Sequence, residues 1–482
     1  MFISIIKGKI RNLQKFDLIV IGSGSGLDVA NAATQHGLKV AVIEKNRMGG
    51  TCLNRGCVPS KLLIHSADVV ETIKNANIFG IKVDKFSVDF QKIVERVNSI
   101  TDHDSDKIKN AFEDIENPKL FAKECKFIGE KTILVGDSEK ITAENILIAS
   151  GTRPRIPKKI KGLEGSSYIT SDEALRLKKQ PGILTFIGGG YITCELAHFY
   201  GSLGTQINII QLGDILIPNE DEEISKKFTE VFSKKYNVYL GYETESVSRS
   251  RKKNNDKNDG NDSSTFHIIA KNSTSGKSLE LDSDQLLVAI GRIPNSDILD
   301  IEKAGVKVDE KGFVITDEYL ETNVKGIFAL GDAVGRYQFK HNATNESQYA
   351  FNNILHPSTK IAVDYNAMPH AIFSSPQVAG VGITEQELKK KESIDYQRSV
   401  YPYINTAMGK AIEDRDGFVK FLVDRKSRKI LGCHIIGSHA SILIHEVLVA
   451  MRVGDGTIDN ISRTIHIHPA LSEVVARAAP MI

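Results

Sequence analysis

The sequence predicts an α/β protein, and three observations predict it. Residues 16–21, FDLIVI, form an apolar run that leads into a glycine-rich turn, a helical stretch and a second apolar run, KVAVIEK. The same order of strand, glycine turn, helix and strand returns at 183–211. From about residue 359 the chain instead alternates short strands with one helix, which is typical of an α+β domain. We therefore predict two Rossmann-like dinucleotide-binding domains followed by a C-terminal α+β domain.

Changes of pattern along the chain predict the domain boundaries. Helical periodicity runs over 86–114, and the strand-like KITAENILIAS ends in a Gly- and Pro-rich exit that places a crossover near 152–158. We predict a first nucleotide-binding domain at 1–155, a second at 156–285, a central part at 286–358 that completes the first, and a C-terminal domain at 359–482. The polar, low-complexity stretch at 249–266 predicts a long solvated hairpin loop.

The composition excludes several classes of protein. With 482 residues, 41% apolar and 25% charged, and a net charge of +2, the chain is typical of a large globular protein with no general attraction for nucleic acid. No apolar run approaches the roughly 20 residues of a membrane helix. MFISII is shorter than a signal-peptide core and is followed, not preceded, by Lys7, Lys9 and Arg11. We expect a cytoplasmic protein with a short basic tail and no membrane partner.

The first glycine turn is a candidate site for a dinucleotide pyrophosphate. Gly22 and Gly24 allow the backbone to approach the phosphates, and the following helix presents unpaired N–H groups to their charge. Glu44 ends the next strand, 20 residues after Gly24, where its carboxylate can accept hydrogen bonds from an adenosine ribose. The full motif has a third glycine at position 27, but Leu27 stands there and Gly26 lies one place early. We therefore expect the helix and strand to pack differently at this point.

The second glycine turn predicts the nicotinamide cofactor. Gly188 and Gly190 match the motif, while its third position is Thr193. Gln211 ends the following strand and is neither an acid suited to a ribose 2′-hydroxyl nor an arginine suited to a 2′-phosphate. Because no arginine is near, the sequence favours NAD, and NADP stays open.

Cys52 and Cys57 form a close pair in a chain with only five cysteines. A zinc site would need a second pair at ligand spacing, but Cys125, Cys194 and Cys433 stand alone and are interpreted as small buried apolar residues. A structural bridge closing so short a loop would remove little chain entropy, and on an undistorted helix the two side chains point apart. A strained, reducible bond follows, so we predict a redox-active disulfide and no metal site.

These motifs together resemble a known family. GGTCLNRGCVPSK, the two βαβ units, KGIFALGDAVG and HIHPALSEVV are similar to the flavin-dependent pyridine nucleotide–disulfide oxidoreductases, most of all dihydrolipoyl dehydrogenase, from about residue 16 to 480. The resemblance implies FAD in the first domain and NAD(P) in the second. It also implies that the C-terminal domain is an interface (dimerisation) domain of a homodimer whose subunits share the active site. Electrons would pass from a dithiol to the cysteine pair, to FAD and then to NAD.

The resemblance also implies catalytic roles. Cys52 would exchange with the substrate, and Cys57 would face the flavin and form the charge-transfer contact. Lys61 and Glu195 would pair beside the flavin ring. The acid–base group would be His468, oriented by Glu473 and reaching the cysteines of the partner subunit. A base suits this chemistry because thiolates carry out exchange and a cysteine with a pKa of ~8.5 is mostly protonated at neutral pH.

Cofactor contacts complete the predicted site. Asp332 would hold the flavin ribitol, and Tyr191 would cover the nicotinamide pocket. The remaining predicted cofactor-binding residues are Gly22, Gly24, Gly26, Glu44, Lys45, Gly50, Thr51, Lys61, Gly151, Gly188, Gly190, Gln211 and Gly291. We interpret His434, His445 and His466 as surface histidines.

The sequence leaves the substrate open. GGTCLN, TIHIHPALSE and the missing arginine favour oxidation of protein-bound dihydrolipoyl groups, with a 2-oxoacid dehydrogenase complex as a possible partner. GSGSG and FKHNATNESQ resemble mycothione reductase instead, which would reduce a low-molecular-weight disulfide with NAD(P)H, and they alter the flavin contact loop expected around His341 to Glu346. A non-enzymatic flavoprotein that binds a partner through the loop at 251–264 is a third hypothesis.

Overall fold

A computed structural model of the chain describes residues 13–113, 115–251, 264–391 and 393–479. Its strands are β1 (Gln14–Ile21), β2 (Val40–Ile43), β3 (Lys119–Phe121), β4 (Cys125–Gly129), β5 (Thr132–Val135), β6 (Glu139–Ile148), β7 (Thr152–Pro154), β8 (Ile183–Ile187), β9 (Gln206–Gln211), β10 (Asn237–Leu240), β11 (Tyr242–Arg251), β12 (Ser264–Asn272), β13 (Ser278–Ser283), β14 (Gln285–Val288), β15 (Arg292–Pro294), β16 (Ile327–Ala329), β17 (Pro369–Ile372), β18 (Val378–Gly382), β19 (Tyr396–Pro402), β20 (Phe418–Asp424) and β21 (Ile430–Ile436). Its helices are α1 (Gly26–Gln35), α2 (Gly50–Arg55), α3 (Cys57–Asn75), α4 (Phe90–Glu113), α5 (Ser171–Ala174), α6 (Tyr191–Ser202), α7 (Glu222–Lys235), α8 (Lys340–Leu355), α9 (Glu385–Lys389), α10 (Ala407–Ala411), α11 (Ala440–Arg452), α12 (Asp459–Ser462) and α13 (Glu473–Ala478). None of these helices combines the length and the apolar character needed to cross a membrane.

The chain divides into two compact units. The first contains the described residues up to Pro59, Arg96–Arg155 and Arg292–Asp364. The second contains Ser60–Glu95, Ile156–Gly291 and the described residues from Tyr365 onwards. The second nucleotide-binding segment and the C-terminal segment therefore belong to one unit, together with most of α3. The four domain ranges predicted above stay a prediction.

A seven-stranded sheet forms the centre of the first unit. Its order is β3-β2-β1-β6-β5-β4, and β16 also pairs with β6. The strands β3, β2, β1, β6 and β16 run parallel, whereas β4 and β5 are antiparallel. Successive residues of β1, Leu18, Ile19 and Val20, are all fully buried, as expected for a parallel sheet covered on both faces. Because β16 joins this sheet, a strand from late in the chain completes the first nucleotide-binding fold.

The described residues of the second unit form three sheets. A parallel sheet in the order β10-β9-β8-β14 repeats the nucleotide-binding pattern, and an antiparallel sheet β11-β12-β13 accompanies it. A five-stranded antiparallel sheet in the order β17-β18-β21-β20-β19 belongs to the C-terminal segment. Strands β11 and β12 pair from Tyr242 opposite Asn272 to Arg251 opposite Ser264, which is the register of a hairpin. Of the stretch 249–266 that was predicted as a loop, residues 249–251 and 264–266 belong to these strands, and residues 252–263 lie outside the described residues.

Two of the histidine predictions are wrong. His434 is 1% exposed because it lies on β21, a central strand, and its Nε2 lies 3.1 Å from the carbonyl oxygen of Ile383. His466 is half-buried and pairs with Glu446. His445 is exposed on α11, as predicted.

The three lone cysteines pack into the protein interior. Cys194 and Cys433 are fully buried, which confirms the prediction for them. Cys125 is half-buried at the edge of the core of the first unit. Burial raises the pKa of all three thiols, to about 12 for Cys125, so these sulfurs are poor nucleophiles at neutral pH.

Candidate active site

The two predicted glycine turns have the same backbone geometry. Gly22 and Gly188 both have a φ of +108°, which L side chains rarely adopt. A Cβ atom on either residue would also collide with a facing carbonyl oxygen, that of Ala149 in the first unit and that of Ala289 in the second. Each turn therefore requires glycine both for its positive φ and for the lack of space for a Cβ atom. The strand–turn–helix pattern that occurs twice in the sequence also has the same backbone conformation at both glycines.

The glycine turn of the first unit is open to a ligand at Gly24 and is closely packed against the sheet at Gly26. Around the Cβ position of Gly24 the nearest atom is the Cα of Gly50, at 4.0 Å. A Cβ on Gly26 would lie only 2.7 Å from Cγ1 of Val20. The expected difference in packing is therefore explained: Gly26 brings α1 against β1, and Leu27 is a buried apolar residue.

Glu44 is held against the first glycine turn. Its carboxylate accepts hydrogen bonds from the Ser23 N–H (3.1 Å) and hydroxyl (2.8 Å), and from the Asn46 N–H (2.8 Å). These bonds orient an anionic acceptor at the end of β2, where an adenosine ribose would need it. Lys45 instead points its ammonium group at Glu124, 3.2 Å away.

Gln211 occupies the matching position of the second glycine turn. Its Oε1 accepts the N–H of Gly189 at 2.8 Å, just as Glu44 accepts an N–H of the first turn. The Cβ position of Gly190 has no atom within 4 Å, so space is open at the start of α6. Tyr191 is the first residue of that helix and is 42% exposed, which leaves its ring accessible to a ligand.

Asp332 follows β16 and lies at the C-terminal end of the parallel strands. Its Oδ2 accepts the hydroxyl hydrogen of Thr152 at 3.0 Å. Burial raises the pKa of Asp332, while the hydrogen bond from Thr152 and the charge of Arg292 oppose that rise. The Cβ positions of Gly151 and Gly291, one in each unit, also have no atom within 4 Å. The open glycine positions and oriented acidic acceptors of the first unit fit a bound FAD.

A break between two helices brings Cys52 and Cys57 together. Cys52 lies in α2 and Cys57 begins α3, and Gly56 between them has φ −145° and ψ −119°, far from helical values. Both cysteines are free thiols, and their side chains are hydrogen-bonded to each other. That hydrogen bond, burial and the electrostatic influence of Cys57 raise the pKa of Cys52, whereas the charge of Lys340 and a hydrogen bond from the Cys57 backbone N–H lower it. The two sulfurs are therefore close neighbours, unlike those of cysteines at this spacing on a continuous helix.

Helix α2 requires glycine at both ends. A Cβ on Gly50, its first residue, would lie 2.8 Å from the Cα of Gly24 in the first glycine turn. A Cβ on Gly56 would lie 2.9 Å from the carbonyl oxygen of Thr51. The glycines of GGTCLNRGC thus pack the cysteine-bearing segment directly onto the predicted pyrophosphate turn.

A cavity of about 520 Å³ lies beside Cys52 in the first unit. Most of its wall is apolar, formed by Leu27, Leu53, Val58, Ile108, Phe112 and Ile115. Asp28, Asn31 and Lys340 provide polar groups. The sequence did not single out Lys340, because only the packing of α8 brings it to this cavity.

The contact segment expected as a loop around His341 to Glu346 is helical instead. It forms the first turns of α8, and the rings of Phe339 and His341 stack with centroids 5.3 Å apart. Glu346 is fully buried, where its carboxylate accepts the Gly331 N–H at 2.6 Å and the Asn342 side-chain N–H at 3.0 Å. Through its hydrogen bond with the Gly331 N–H, the buried Glu346 carboxylate connects α8 to the turn that contains Asp332. This contact stabilises a helix where a loop was expected.

Lys61 and Glu195 form an ion pair in the second unit. The ammonium nitrogen lies 2.9 Å and 2.8 Å from the two carboxylate oxygens, and Glu195 is 5% exposed. The N–H of Phe373 donates to the same carboxylate at 3.0 Å, and the Lys61 ammonium lies 4.8 Å from the Phe373 ring centroid. Two contacts from Phe373, its N–H and its ring, therefore hold the pair in place, and no signal in the sequence indicated this role of Phe373.

His468 and Glu473 lie together near the C-terminus, also in the second unit. His468 Nδ1 is 3.0 Å from each Glu473 oxygen. The hydrogen bond with His468 lowers the pKa of Glu473, so this group is a carboxylate at neutral pH. The histidine side chain is 71% exposed, while that of Glu473 is 10% exposed. An anchored carboxylate thus holds an accessible imidazole, the arrangement that a general base needs.

Comparison with known proteins agrees with this geometry. Residues 16–347 match the family described as pyridine nucleotide-disulphide oxidoreductase, and residues 368–479 match the dimerisation domain of the same family. Mycothione reductase of Mycobacterium tuberculosis is 33% identical over 484 residues, which cover 97% of this chain and 99% of the relative. Dihydrolipoyl dehydrogenase of Chlamydia muridarum is 34% identical over 472 residues, which cover 97% and 96%.

A solved structure has the same fold over nearly the whole chain. It is a Cu(II) complex of RclA, an HOCl-induced flavoprotein disulfide reductase from Escherichia coli. The TM-score is 0.83 at 25% identity, with 97% of this chain and 99% of that chain covered.

Proposed function

Because the chain belongs to the pyridine nucleotide-disulphide oxidoreductase family, whose cofactors are FAD and NAD(P), we propose that it oxidises protein-bound dihydrolipoyl groups with NAD⁺. The observation that carries this choice of substrate is the cavity beside Cys52, whose wall is mostly apolar. A lipoyl arm is an aliphatic chain with a neutral amide, so burying it in such a cavity is favourable. A highly polar thiol would have to lose water there without many hydrogen-bond partners.

The cysteine pair and His468 carry out the exchange in three steps. His468 takes a proton from one substrate thiol, and the resulting thiolate attacks Cys52 in the Cys52–Cys57 disulfide. The bond between the two cysteines breaks, a mixed disulfide forms at Cys52, and Cys57 leaves as a thiolate. The second substrate sulfur then displaces Cys52, which closes the substrate disulfide and leaves two electrons on the pair. FAD, when bound, supplies the passage of these electrons to NAD⁺ as hydride.

The cofactors would be held by the groups described above. In the first unit Glu44 would receive the adenosine ribose, the turn at Gly22 and Gly24 the pyrophosphate, and Asp332 the ribitol. In the second unit Gly188, Gly190 and Tyr191 would receive the nicotinamide nucleotide, and the Lys61–Glu195 pair would lie beside the flavin ring.

The preference for NAD rests on the end of β9 and the residues that follow it. These are Gln211, the last residue of the strand, and then Leu212, Gly213 and Asp214, of which the single charged one is negative and repels a 2′-phosphate. We expect a higher kcat/KM with NAD⁺ than with NADP⁺. A preference for the phosphorylated cofactor would contradict the assignment.

The decisive assay measures NADH formation from dihydrolipoamide and NAD⁺ by the FAD-loaded protein. We expect turnover that is lost in Cys52→Ser, while Cys125→Ser, which removes a half-buried sulfur elsewhere in the same unit, keeps it. Absence of NADH formation by protein that holds a full complement of FAD would refute the proposed substrate.

Reduction of a low-molecular-weight disulfide is the second candidate. It is favoured by the 33% identity with mycothione reductase and by the charged side chains of Asp28 and Lys340 in the cavity, which could bind a polar thiol. A panel of small disulfides, assayed with NADH and with NADPH, separates the two candidates. Faster turnover with one of these disulfides than with lipoamide would reverse our choice.

We further propose a cytoplasmic homodimer in which His468 serves the cysteines of the partner subunit, with a 2-oxoacid dehydrogenase complex as the source of lipoyl groups. The match to the dimerisation domain supports the dimer, as do Ile465 and Ile467, which are 97% and 77% exposed beside His468. Co-expressing Cys52→Ser and His468→Gln chains tests this, because mixed dimers would regain one intact site. No recovered activity would contradict a shared site.

A further inference from the structure

Lys340, the first residue of α8, shares a cavity with Cys52. Its ammonium nitrogen donates a 2.7 Å hydrogen bond to the hydroxyl oxygen of Ser25 and lies 3.8 Å from the carboxylate of Asp28. Both Lys340 and Asp28 line the cavity that Cys52 opens into. A cation and an anion are therefore held next to the sulfur that would exchange with the substrate.

Electrostatics decides how reactive that sulfur is. The thiolate is the form that attacks and the form that leaves, and a nearby cation favours it. The groups that carry or gain charge around Cys52 are Cys57 on α3, Lys340 on α8 and Asp28 on α1. Helix α4 adds only uncharged cavity residues, such as Ile108 and Phe112. The Cys57 side chain disfavours a Cys52 thiolate, whereas the Lys340 ammonium and a hydrogen bond from the Cys57 backbone N–H favour it, so Lys340 is the side chain among these groups that stabilises the thiolate.

We propose that Lys340 stabilises the Cys52 thiolate during thiol–disulfide exchange and that Asp28 limits this effect. This inference rests on the exchange step of the proposed function but on neither the identity of the substrate nor the choice of nucleotide. In the step concerned, the second substrate sulfur attacks the first and the bond to Cys52 breaks. The electron pair of that bond goes to Cys52, and the proton of the attacking thiol goes to His468, which has first released to solvent the proton that it took from the first substrate thiol. A cation beside Cys52 speeds this step because a better-stabilised thiolate leaves faster.

Alkylation of Cys52 tests the inference without any substrate. In a Cys57→Ser background, which removes the neighbouring thiol, the rate of reaction with iodoacetamide is measured from pH 6 to 10 on the FAD-loaded protein and on the apoprotein. We expect Lys340→Met to move the profile to higher pH and to slow alkylation at pH 7 by roughly 3- to 10-fold. Lys340→Arg keeps the charge and should leave the profile in place.

Asp28→Asn should shift the alkylation profile in the opposite direction. Without the Asp28 anion the positive charge of Lys340 is no longer partly neutralised, so the profile should move to lower pH. Lys303→Met removes a lysine of the same unit that pairs with Asp300 at 2.6 Å and does not line the cavity, and it should change nothing.

Two results would overturn the inference. They are an unchanged alkylation profile in Lys340→Met, and a shift of the same sign in Lys340→Met and Asp28→Asn. If the unchanged profile in Lys340→Met were accompanied by loss of FAD, Lys340 would be a cofactor-holding residue instead. Because the measurement uses neither dihydrolipoamide nor NAD⁺, failure of the proposed function in the NADH assay would leave its outcome unaffected.

Discussion

His468 Nδ1 lies 3.0 Å from both carboxylate oxygens of Glu473. With one ring nitrogen held by a carboxylate, the other is the nitrogen that would exchange a proton with a substrate thiol in the proposed reaction. The carboxylate is buried and the imidazole is exposed, so the protein fixes the base without covering it.

Replacing His468 or Glu473 should slow turnover more than it destabilises the fold. We expect His468→Gln to lower kcat by roughly 10² or more, because it removes the proton acceptor. Glu473→Gln should cost less, since the imidazole remains but loses its anionic partner. Glu446→Gln is the matched control, because it alters the neighbouring pair with His466, to which no catalytic role is assigned. Equal losses in Glu473→Gln and Glu446→Gln, measured at saturating substrate, would contradict the assigned role.

The two cysteines should differ in their effect on the visible spectrum. On two-electron reduction of the FAD-loaded protein we expect long-wavelength absorbance that Cys57→Ser abolishes, because Cys57 is assigned to face the flavin. Cys52→Ser has no disulfide to reduce, so it should show this absorbance before any reductant is added, from the Cys57 thiolate that is assigned to face the flavin. Absorbance spectra recorded before and during anaerobic titration with dithionite make the measurement. If Cys52→Ser lacks the band and Cys57→Ser shows it, the two roles must be exchanged.

The Lys61–Glu195 pair should show strong coupling. Lys61→Met leaves a buried carboxylate with only the Phe373 N–H, which we expect to cost about 2 kcal/mol or more of unfolding free energy. Glu195→Gln combined with Lys61→Met removes the unpaired charge and should recover part of that loss. Urea denaturation of the two single variants and the double variant measures the coupling. Simple addition of the two losses would show that the pair contributes no interaction energy.

A buried lysine should dominate the stability of the second unit. Lys420 is 1% exposed, and its ammonium lies 2.8 Å from Asp221 and 2.6 Å from Glu385. Lys420→Met removes the buried cation that pairs with both carboxylates, so we expect a loss of about 3–5 kcal/mol in thermal or urea unfolding. Lys226→Met, which removes an exposed lysine paired with Glu222, should cost less than about 1 kcal/mol.

The same cluster predicts how stability depends on pH. Burial alone would raise the pKa of Glu385, but the hydrogen bond and charge of Lys420 outweigh it and lower the pKa. A lowered folded-state pKa contributes stability above the unfolded value of about 4.3, and this stability is lost as pH falls through the folded value. Wild-type protein should therefore lose unfolding free energy below pH of about 4 more steeply than Lys420→Met. Parallel pH profiles for the two proteins would contradict this.

Gly50 should be essential for binding FAD rather than for folding alone. Its Cβ position is 2.8 Å from the Cα of Gly24, so Gly50→Ala must displace the pyrophosphate turn. Gly37→Ala is the matched control: Gly37 also has a positive φ, +82°, but no atom lies within 4 Å of its Cβ position. Both variants should lose about 1–2 kcal/mol from backbone strain, and only Gly50→Ala should release FAD on dialysis. Retention of FAD by Gly50→Ala would show that the turn tolerates the shift.

The sequence by itself determined the features that depend on local pattern. Apolar runs predicted β1, β2, β8 and β9, glycine spacing predicted the two turns, and the pairing of Cys52 with Cys57 predicted redox chemistry, because backbone conformation and side-chain type act over a few residues.

Only the tertiary structure decided which distant groups meet. The placement of Lys340 beside Cys52 and the burial of His434 both depend on packing between segments far apart in the chain. Local sequence patterns do not predict such contacts, because hydrophobic burial and electrostatic attraction depend on distance in space and not on separation along the chain.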